Sequence, residues 1–269
     1  MGGLKLSKHN GVLCAGCTIS LLGVRLNTYV YLVDGLAIDT GPSKFRNAYS
    51  VFFNSHRPER AILTHFHEDH SGNAPWLVKH GIEVYIHPSA IALCRVNAKI
   101  PFYRRIFWGR RSSFSPKPVG NEINGRSRTF QVIAAPGHSL DHIAVYDPGE
   151  GAIFTGDLFV TPKTKNIMKY ENIYSIKDSL EKILKYDFRT VYCAHAGMVN
   201  NGSEMIKKKA EYLDNLIGEV IELRGKGLGI AQINKKIFPK TTPLTLISGK
   251  EWSSKHIIRS IITDKKNRE

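Results

Sequence analysis

Apolar and polar positions follow a short period in the first two thirds of the chain and a longer one in the last third. Over the opening forty residues the apolar positions are dense and partly β-branched. They predict strands at Ile19–Arg25, Thr28–Val33 and Leu36–Asp39, with Asp34-Gly35 as a hairpin turn. Pro42 and Ser43 open a predicted helix over Lys44–Ser55, and Arg60–Leu63 is a short buried strand running into the polar loop Thr64–Gly72. A helix through Trp76–Lys79, a strand at Glu83–Ile86 and a helix at Ala90–Val96 follow. A second batch then predicts strands at Thr129–Ala134, Ile143–Tyr146, Ala152–Thr155 and Thr190–Cys193, with a helix at Ser175–Lys185. After Gly202 the apolar residues Ile206, Ala210, Leu213, Ile217 and Val220 recur at alternating steps of four and three, which defines one helical stripe. Gly225 and Gly227 end it, and Gly229–Lys236 and Trp252–Ile262 read as shorter helices. Two mixed batches and a helical tail indicate an α/β sandwich in residues 1–200 and a helical extension in 201–269.

Composition is that of a globular chain: 269 residues, 42% apolar and 23% charged. No apolar run approaches the roughly 20 residues that span a bilayer. The start, MGGLKLSKHNG, lacks the long apolar segment of a secretory leader, so a cytoplasmic location is expected. The net charge of +15 is unevenly placed. Residues 95–128 hold nine Lys/Arg against one Asp/Glu, and residues 201–269 hold fourteen against eight. Such a balance suits an anionic small substrate, with RNA as the alternative partner. Within the basic insert 95–128, Arg104, Arg105, Arg110 and Arg111 are candidates to recruit the anion, and Phe102, Tyr103, Phe107 and Trp108 to supply apolar contacts. Lys163 and Lys165 read as solvated loop charges, and Lys207-Lys208-Lys209 as the wet face of a helix. Cys14 and Cys17 form one C-x-x-C, weak evidence for metal or redox chemistry, and read with Cys94 and Cys193 as buried thiols.

The chemistry is concentrated after strands. Thr64-His65-Phe66-His67-Glu68-Asp69-His70 packs four possible metal ligands into six residues, and imidazole and carboxylate are the donors that zinc-like cations favour. In an extended stretch His65 and His67 point the same way, while Asp69 and His70 can turn to a second position. Glu68, beside them, reads as a solvated loop charge. Gly137-His138, Gly156-Asp157 and Ala194-His195 each place one further ligand-type side chain at a strand end, next to a small residue.

Asp39-Thr40-Gly41, His65-x-His67-x-Asp69-His70, Gly137-His138, Gly156-Asp157 and His195, in that order over roughly residues 19–200, resemble the metallo-β-lactamase-fold superfamily of metallohydrolases. The resemblance implies a four-layer αββα sandwich with a binuclear centre between its sheets. It assigns His65, His67 and His138 to one metal, Asp69, His70 and His195 to the other, and Asp157 to a bridge. Asp39 is implied to support the metal loop, and His142 to act as a structural neighbour. The implied ions are two divalent metals, Zn2+ foremost, with Fe or Mn as alternatives. The implied nucleophile is a metal-bridging hydroxide, oriented by Asp69, that cleaves an ester, thioester or lactone. His67 fits the hydrolytic rather than the oxygen-reducing branch, and the glyoxalase-II-like and ribonuclease-like branches are the nearer likenesses. The tail is similar to the helical or winged-helix-like extension of some members. A ribonuclease or phosphodiesterase, and a mononuclear iron persulfide dioxygenase, are the rival activities at this stage.

Overall fold

The computed structural model describes residues 3–265. The first half of the chain builds one seven-stranded sheet. β1 (Lys5–His9), β2 (Val12–Leu21), β3 (Val24–Val33) and β4 (Leu36–Ile38) pair antiparallel, and β5 (Arg60–Ile62), β6 (Glu83–Ile86) and β7 (Lys117–Pro118) continue in parallel. The helices between them are α1 (Arg46–His56), α2 (Glu68–Ser71), α3 (Ala74–Lys79), α4 (Ile91–Cys94) and α5 (Phe102–Trp108). The second half supplies β8 (Glu122–Asn124), β9 (Thr129–Ala134), β10 (Ile143–Asp147), β11 (Ala152–Gly156), β12 (Ile167–Met168), β13 (Thr190–Cys193) and β14 (Gly197–Val199). All but β12 form the second sheet, in the order β14-β13-β11-β10-β9-β8. Its helices are α6 (Ile173–Ile183), α7 (Gly202–Gly225), α8 (Ile230–Ile237), α9 (Pro243–Ile247) and α10 (Ser254–Lys265), and β12 pairs with β15 (Trp252–Ser253) of the tail.

The period-two side-chain alternation of strands explains the layering. On β2 and β3, Val12, Cys14, Tyr31 and Val33 face inward and meet Phe130, Val145, Phe154 and Tyr192 of the second sheet. Ala15, Cys17, Val30 and Leu32 face the other way, onto Tyr49, Phe52 and Phe53 of α1 and Leu77 of α3. The outer face of the second sheet carries Ile133, Ala144, Ile153 and Val191 against Ile176 and Leu180 of α6. The tail joins this same core through Leu213 and Ile217 of α7, Ile233 of α8 and Ile257 of α10. The result is the expected αββα sandwich. With both faces covered, the central strands read as nearly continuous apolar runs. Among the described residues no helix is long and apolar enough to cross a membrane.

The alternation also disposes of the C-x-x-C. Positions three apart on a strand face opposite sides, so Cys14 lies in the inter-sheet core and Cys17 under α1. All four cysteines are free and buried.

The predicted strand Ile19–Arg25 is in fact a hairpin. Leu22 and Gly23 adopt φ of 49° and 77°, and the chain reverses between β2 and β3. An Asn at position 22 would have announced this turn, whereas an exposed Leu extends the apolar pattern through it. β1 was also illegible, because an exposed edge strand of mainly polar residues carries no apolar face.

Candidate metal centre

Strand direction places the site. β4 and β5 are parallel, and β9, β11 and β13 run in a common direction in the second sheet. The loops after these five strands therefore open at one edge of the sandwich, and they carry Asp39, the 64–72 run, His138, Asp157 and His195.

Each histidine is aimed by a partner on its outer nitrogen. His70 Nδ1 lies 2.8 Å from Asp39 Oδ2, while Asp39 Oδ1 accepts the Thr64 amide at 2.8 Å. His195 Nδ1 donates to the Asn27 carbonyl (2.6 Å). His138 Nδ1 lies 2.9 Å from Glu171 Oε2, and Glu171 Oε1 accepts the Met168 amide. Thr64 Oγ1, its own hydrogen directed at Asp39, takes His65 Nδ1 at 3.2 Å. The Tyr170 hydroxyl, directed at Met168 Sδ, takes His67 Nε2 at 2.8 Å. Such outer partners fix the tautomer and orientation of a ligating imidazole.

The inner atoms then converge. His65 Nε2 is 2.8 Å, and His138 Nε2 3.1 Å, from His67 Nδ1. With the outer nitrogens holding the hydrogens, these are three lone pairs facing one another. Left alone they repel, and a cation among them turns the repulsion into coordination. Asp157 faces both halves: Oδ1 is 3.2 Å from His70 Nε2, and Oδ2 is 3.2 Å from His195 Nε2 and 3.4 Å from His138 Nε2. Asp69 Oδ2 lies 3.4 Å from His195 Nε2 and 3.7 Å from His70 Nε2. Three ligand groupings result: His65, His67 and His138; His65, His70 and Asp157; and Asp69, His70 and His195. His70 Nε2 and Asp157 Oδ1 are buried, face each other at 3.2 Å and have no other hydrogen-bond partner among the described residues. Buried polar atoms left in that condition are costly, and a metal is the partner this donor set suits.

Electrostatics divides the imidazoles. Burial pushes His65 and His67 well below the ordinary histidine range. Burial acts the same way on His70 and His195, but it is outweighed by carboxylates, Asp157 foremost, which raise both. Asp157 is in turn held low despite its burial, by His195, His70 and His138. His142, brought to about 3 chiefly by burial, is neutral, and its Nε2 accepts the Asp157 amide at 3.0 Å. Gly156 is required beside it: φ is 48°, and a Cβ there would stand 2.7 Å from His142 Nε2.

The charges expected to be solvated are partly internal. Glu68 is buried and forms a two-pronged ion pair with Arg104, Nε to Oε1 at 2.6 Å and Nη2 to Oε2 at 2.9 Å. Arg104 is therefore committed rather than free to recruit an anion. Arg111 is also buried, with its guanidinium on the carbonyls of Leu93, Cys94 and Val96. Arg105 and Arg110 remain exposed. Lys209 is not on the wet face of its helix. It is buried and donates to the carbonyls of Leu158 (2.8 Å) and Phe159, directly after Asp157, and burial lowers it to about 8. Its signal was present: position 209 falls three residues after Ile206, on the apolar stripe. Sequence reasoning missed Tyr170, Glu171 and Asp141, whose Oδ2 accepts the Phe66 amide at 2.9 Å. All three lie in loops without periodicity, and only their contacts mark them.

A cleft of about 300 Å³ opens onto His67, Asp69, His138, Asp157 and His195. Arg25 and Lys165, both exposed, also line it.

A family model described as Metallo-beta-lactamase superfamily matches residues 23–195. A Beta-lactamase-like protein 2 homolog of Caenorhabditis elegans is 25% identical over 203 residues, 70% of this chain and 61% of its own length. A hydroxyacylglutathione hydrolase of Chromohalobacter salexigens is 37% identical over 99 residues, 36% of this chain and 31% of that protein. An atrochrysone carboxyl ACP thioesterase of Aspergillus fumigatus is 26% identical over 197 residues, 69% of this chain and 55% of that protein. The chain thus spans less than two thirds of the length of each of these relatives. Among solved structures, a metallo-beta-lactamase family protein from Thermus thermophilus superposes with TM-score 0.64 at 17% identity, over 94% of this chain and 91% of that one. A metallo-beta-lactamase from Pontibacter korlensis gives 0.63 at 17% identity, over 79% and 99%. At these identities the structural matches speak for the fold.

Proposed function

We propose that this chain, which belongs to the metallo-beta-lactamase superfamily, is a binuclear metal-dependent hydrolase of a small anionic ester, thioester or lactone. The observation that carries the reading is the convergence of seven donor side chains, with the imidazoles tied down at their outer atoms and the inner atoms facing one another. His65, His67 and His138 would hold one ion, Asp69, His70 and His195 the other, and Asp157 would serve both. Members of this superfamily bind divalent metals, typically zinc. Ions held there supply Lewis-acid polarisation of an acyl oxygen and lower the pKa of water towards neutrality.

The chain's own residues supply orientation. Asp39, Glu171, Thr64 and the Asn27 carbonyl hold the imidazoles in the tautomer that turns a lone pair inward. Asp69 lines the cleft, where a carboxylate oxygen can accept a hydrogen bond from the attacking water. The water oxygen ends on the acyl carbon, the carbon–sulfur or carbon–oxygen bond breaks, and a carboxylate, a thiol or alcohol, and a proton leave. Two relatives are named for acyl-thioester hydrolysis, which puts thioesters first among the substrates. Arg25 and Lys165 provide exposed positive charge at the cleft for an anionic substrate.

A ribonuclease is disfavoured by the fate of the basic insert. Arg104 and Arg111 are consumed internally, which leaves fewer cations for a phosphate track. The test is elemental analysis of protein purified without added metal, followed by turnover of thioesters, esters, lactones and structureless RNA. Two equivalents of metal with acyl turnover are expected. One equivalent of iron, or salt-sensitive RNA cleavage without acyl turnover, overturns the reading.

A further inference from the structure

The strongly basic chain surrounds a cleft that is apolar inside. Beyond the metal-facing side chains, the cleft is lined by Tyr103, Phe107 and Trp108 of α5, Met168 of β12, and Leu244 and Trp252 of the tail. Phe107 and Trp108 pack in one cluster with Leu244, and the Trp108 ring lies 6.2 Å from the His195 ring. The charged groups on this side are already engaged, and the buried Tyr103 hydroxyl is left without a hydrogen-bond partner among the described residues. Arg104 is engaged by Glu68 and Glu251, Asn166 by Thr242 and Thr245, and Lys209 by two carbonyls. The interior wall next to the reacting position thus offers apolar surface and no free charge, while Arg25 and Lys165 are exposed.

From this we infer that the α5–tail wall is an acyl pocket, and that the substrate carries an unbranched or aromatic apolar acyl group of medium size on the scissile carbonyl. The inference rests on the hydrolase reading and adds the substrate class to it. The cleft of about 300 Å³ also has to hold the reacting centre and part of the leaving group, so the share left beside the wall suits an acyl group of medium size such as hexanoyl or phenylacetyl. An acetyl group would leave the aromatic wall unused, and a long acyl chain would outrun it. The insert and the tail, which contribute none of the seven donor residues, thereby acquire a role in the site.

The test uses the metal-loaded full chain and acetyl, butyryl, hexanoyl and dodecanoyl thioesters of one small thiol. Burial of apolar surface predicts about fourfold per methylene at best, so hexanoyl over acetyl is expected to exceed tenfold in kcat/KM, with dodecanoyl falling back. In Trp108→Ala the hexanoyl-to-acetyl ratio should fall at least fivefold, and Trp108→Phe should restore most of it. Trp252→Ala provides a second variant should Trp108→Ala fold poorly. In parallel, quenching of tryptophan fluorescence should show sodium hexanoate binding at least tenfold more tightly than sodium acetate. A flat acyl series with measurable turnover overturns the pocket and leaves the hydrolase reading standing. No turnover of thioesters, esters or lactones together with selective hexanoate binding overturns the hydrolase reading and supports the pocket. Equal binding of hexanoate and acetate overturns the pocket in either case.

Discussion

The two sides of the cleft are held by different forces. On the metal side, five strand-end loops present donor groups, and each imidazole is tied by a hydrogen bond to a carboxylate, a hydroxyl or a backbone carbonyl. On the opposite side, α5 and the tail present aromatic and aliphatic side chains held by packing. Directional bonds fix atoms to fractions of an ångström, as coordination chemistry requires, whereas packing shapes a cavity that can tolerate variation. Under the proposed function, reaction and substrate are separable: the first would belong to the strand-end loops, the second to the helices laid over them. Arg104 bolts the two sides together, since its guanidinium leaves α5 to pair with Glu68, between the ligand positions His67 and Asp69.

That division can be broken from either side. The largest effect is expected from Asp157→Asn, which removes a carboxylate facing His70, His138 and His195. Its kcat/KM should fall by more than the roughly 10–100-fold typical of losing an outer partner, and elemental analysis should show less than the full metal complement. Arg104→Met should destabilise the fold by about 3–5 kcal/mol in urea unfolding, because Glu68 is left charged and buried without its partner. The double variant with Glu68→Met should recover most of that loss. If the single change is neutral, the bolt between the two sides does not exist. Asp39→Asn keeps the shape but weakens the aim of His70, and metal affinity in a chelator competition should drop by about 10–100-fold. The smallest effect is expected at the exposed turn between β2 and β3. Leu22→Asn relieves a left-handed turn position and should stabilise by about 0.5–1 kcal/mol in the same unfolding assay, with kcat/KM unchanged.

The site was readable to the extent that its chemistry is local. His65, His67, Asp69 and His70 are four ligand-type residues in six consecutive positions, and their strand context follows from the apolar run before them. Asp157 and His195 are single residues, legible through their place after a strand and beside a small neighbour. Glu68 shows the limit. Nothing adjacent to it signals burial, and the partner that makes burial tolerable is 36 positions away. Arg111 was misread for the same reason, since the carbonyls that take its charge come from the end of α4 and just beyond. The turn at Leu22-Gly23 was misread for a different one: φ is a backbone property, and Leu there carries the pattern of a strand.

By itself, the sequence determined which donor groups exist and after which strands they fall, because residue type and short-period hydrophobic patterning are local. It also determined the total charge. Only the tertiary structure decided which charges meet solvent, which nitrogen of each imidazole faces inward, and that an apolar wall from the insert and tail closes over the metal side. Burial and pairing depend on groups that are distant along the chain and adjacent in space. The same arginine is a solvated recruiter or a buried anchor according to what folds against it, and no neighbouring residue encodes the difference.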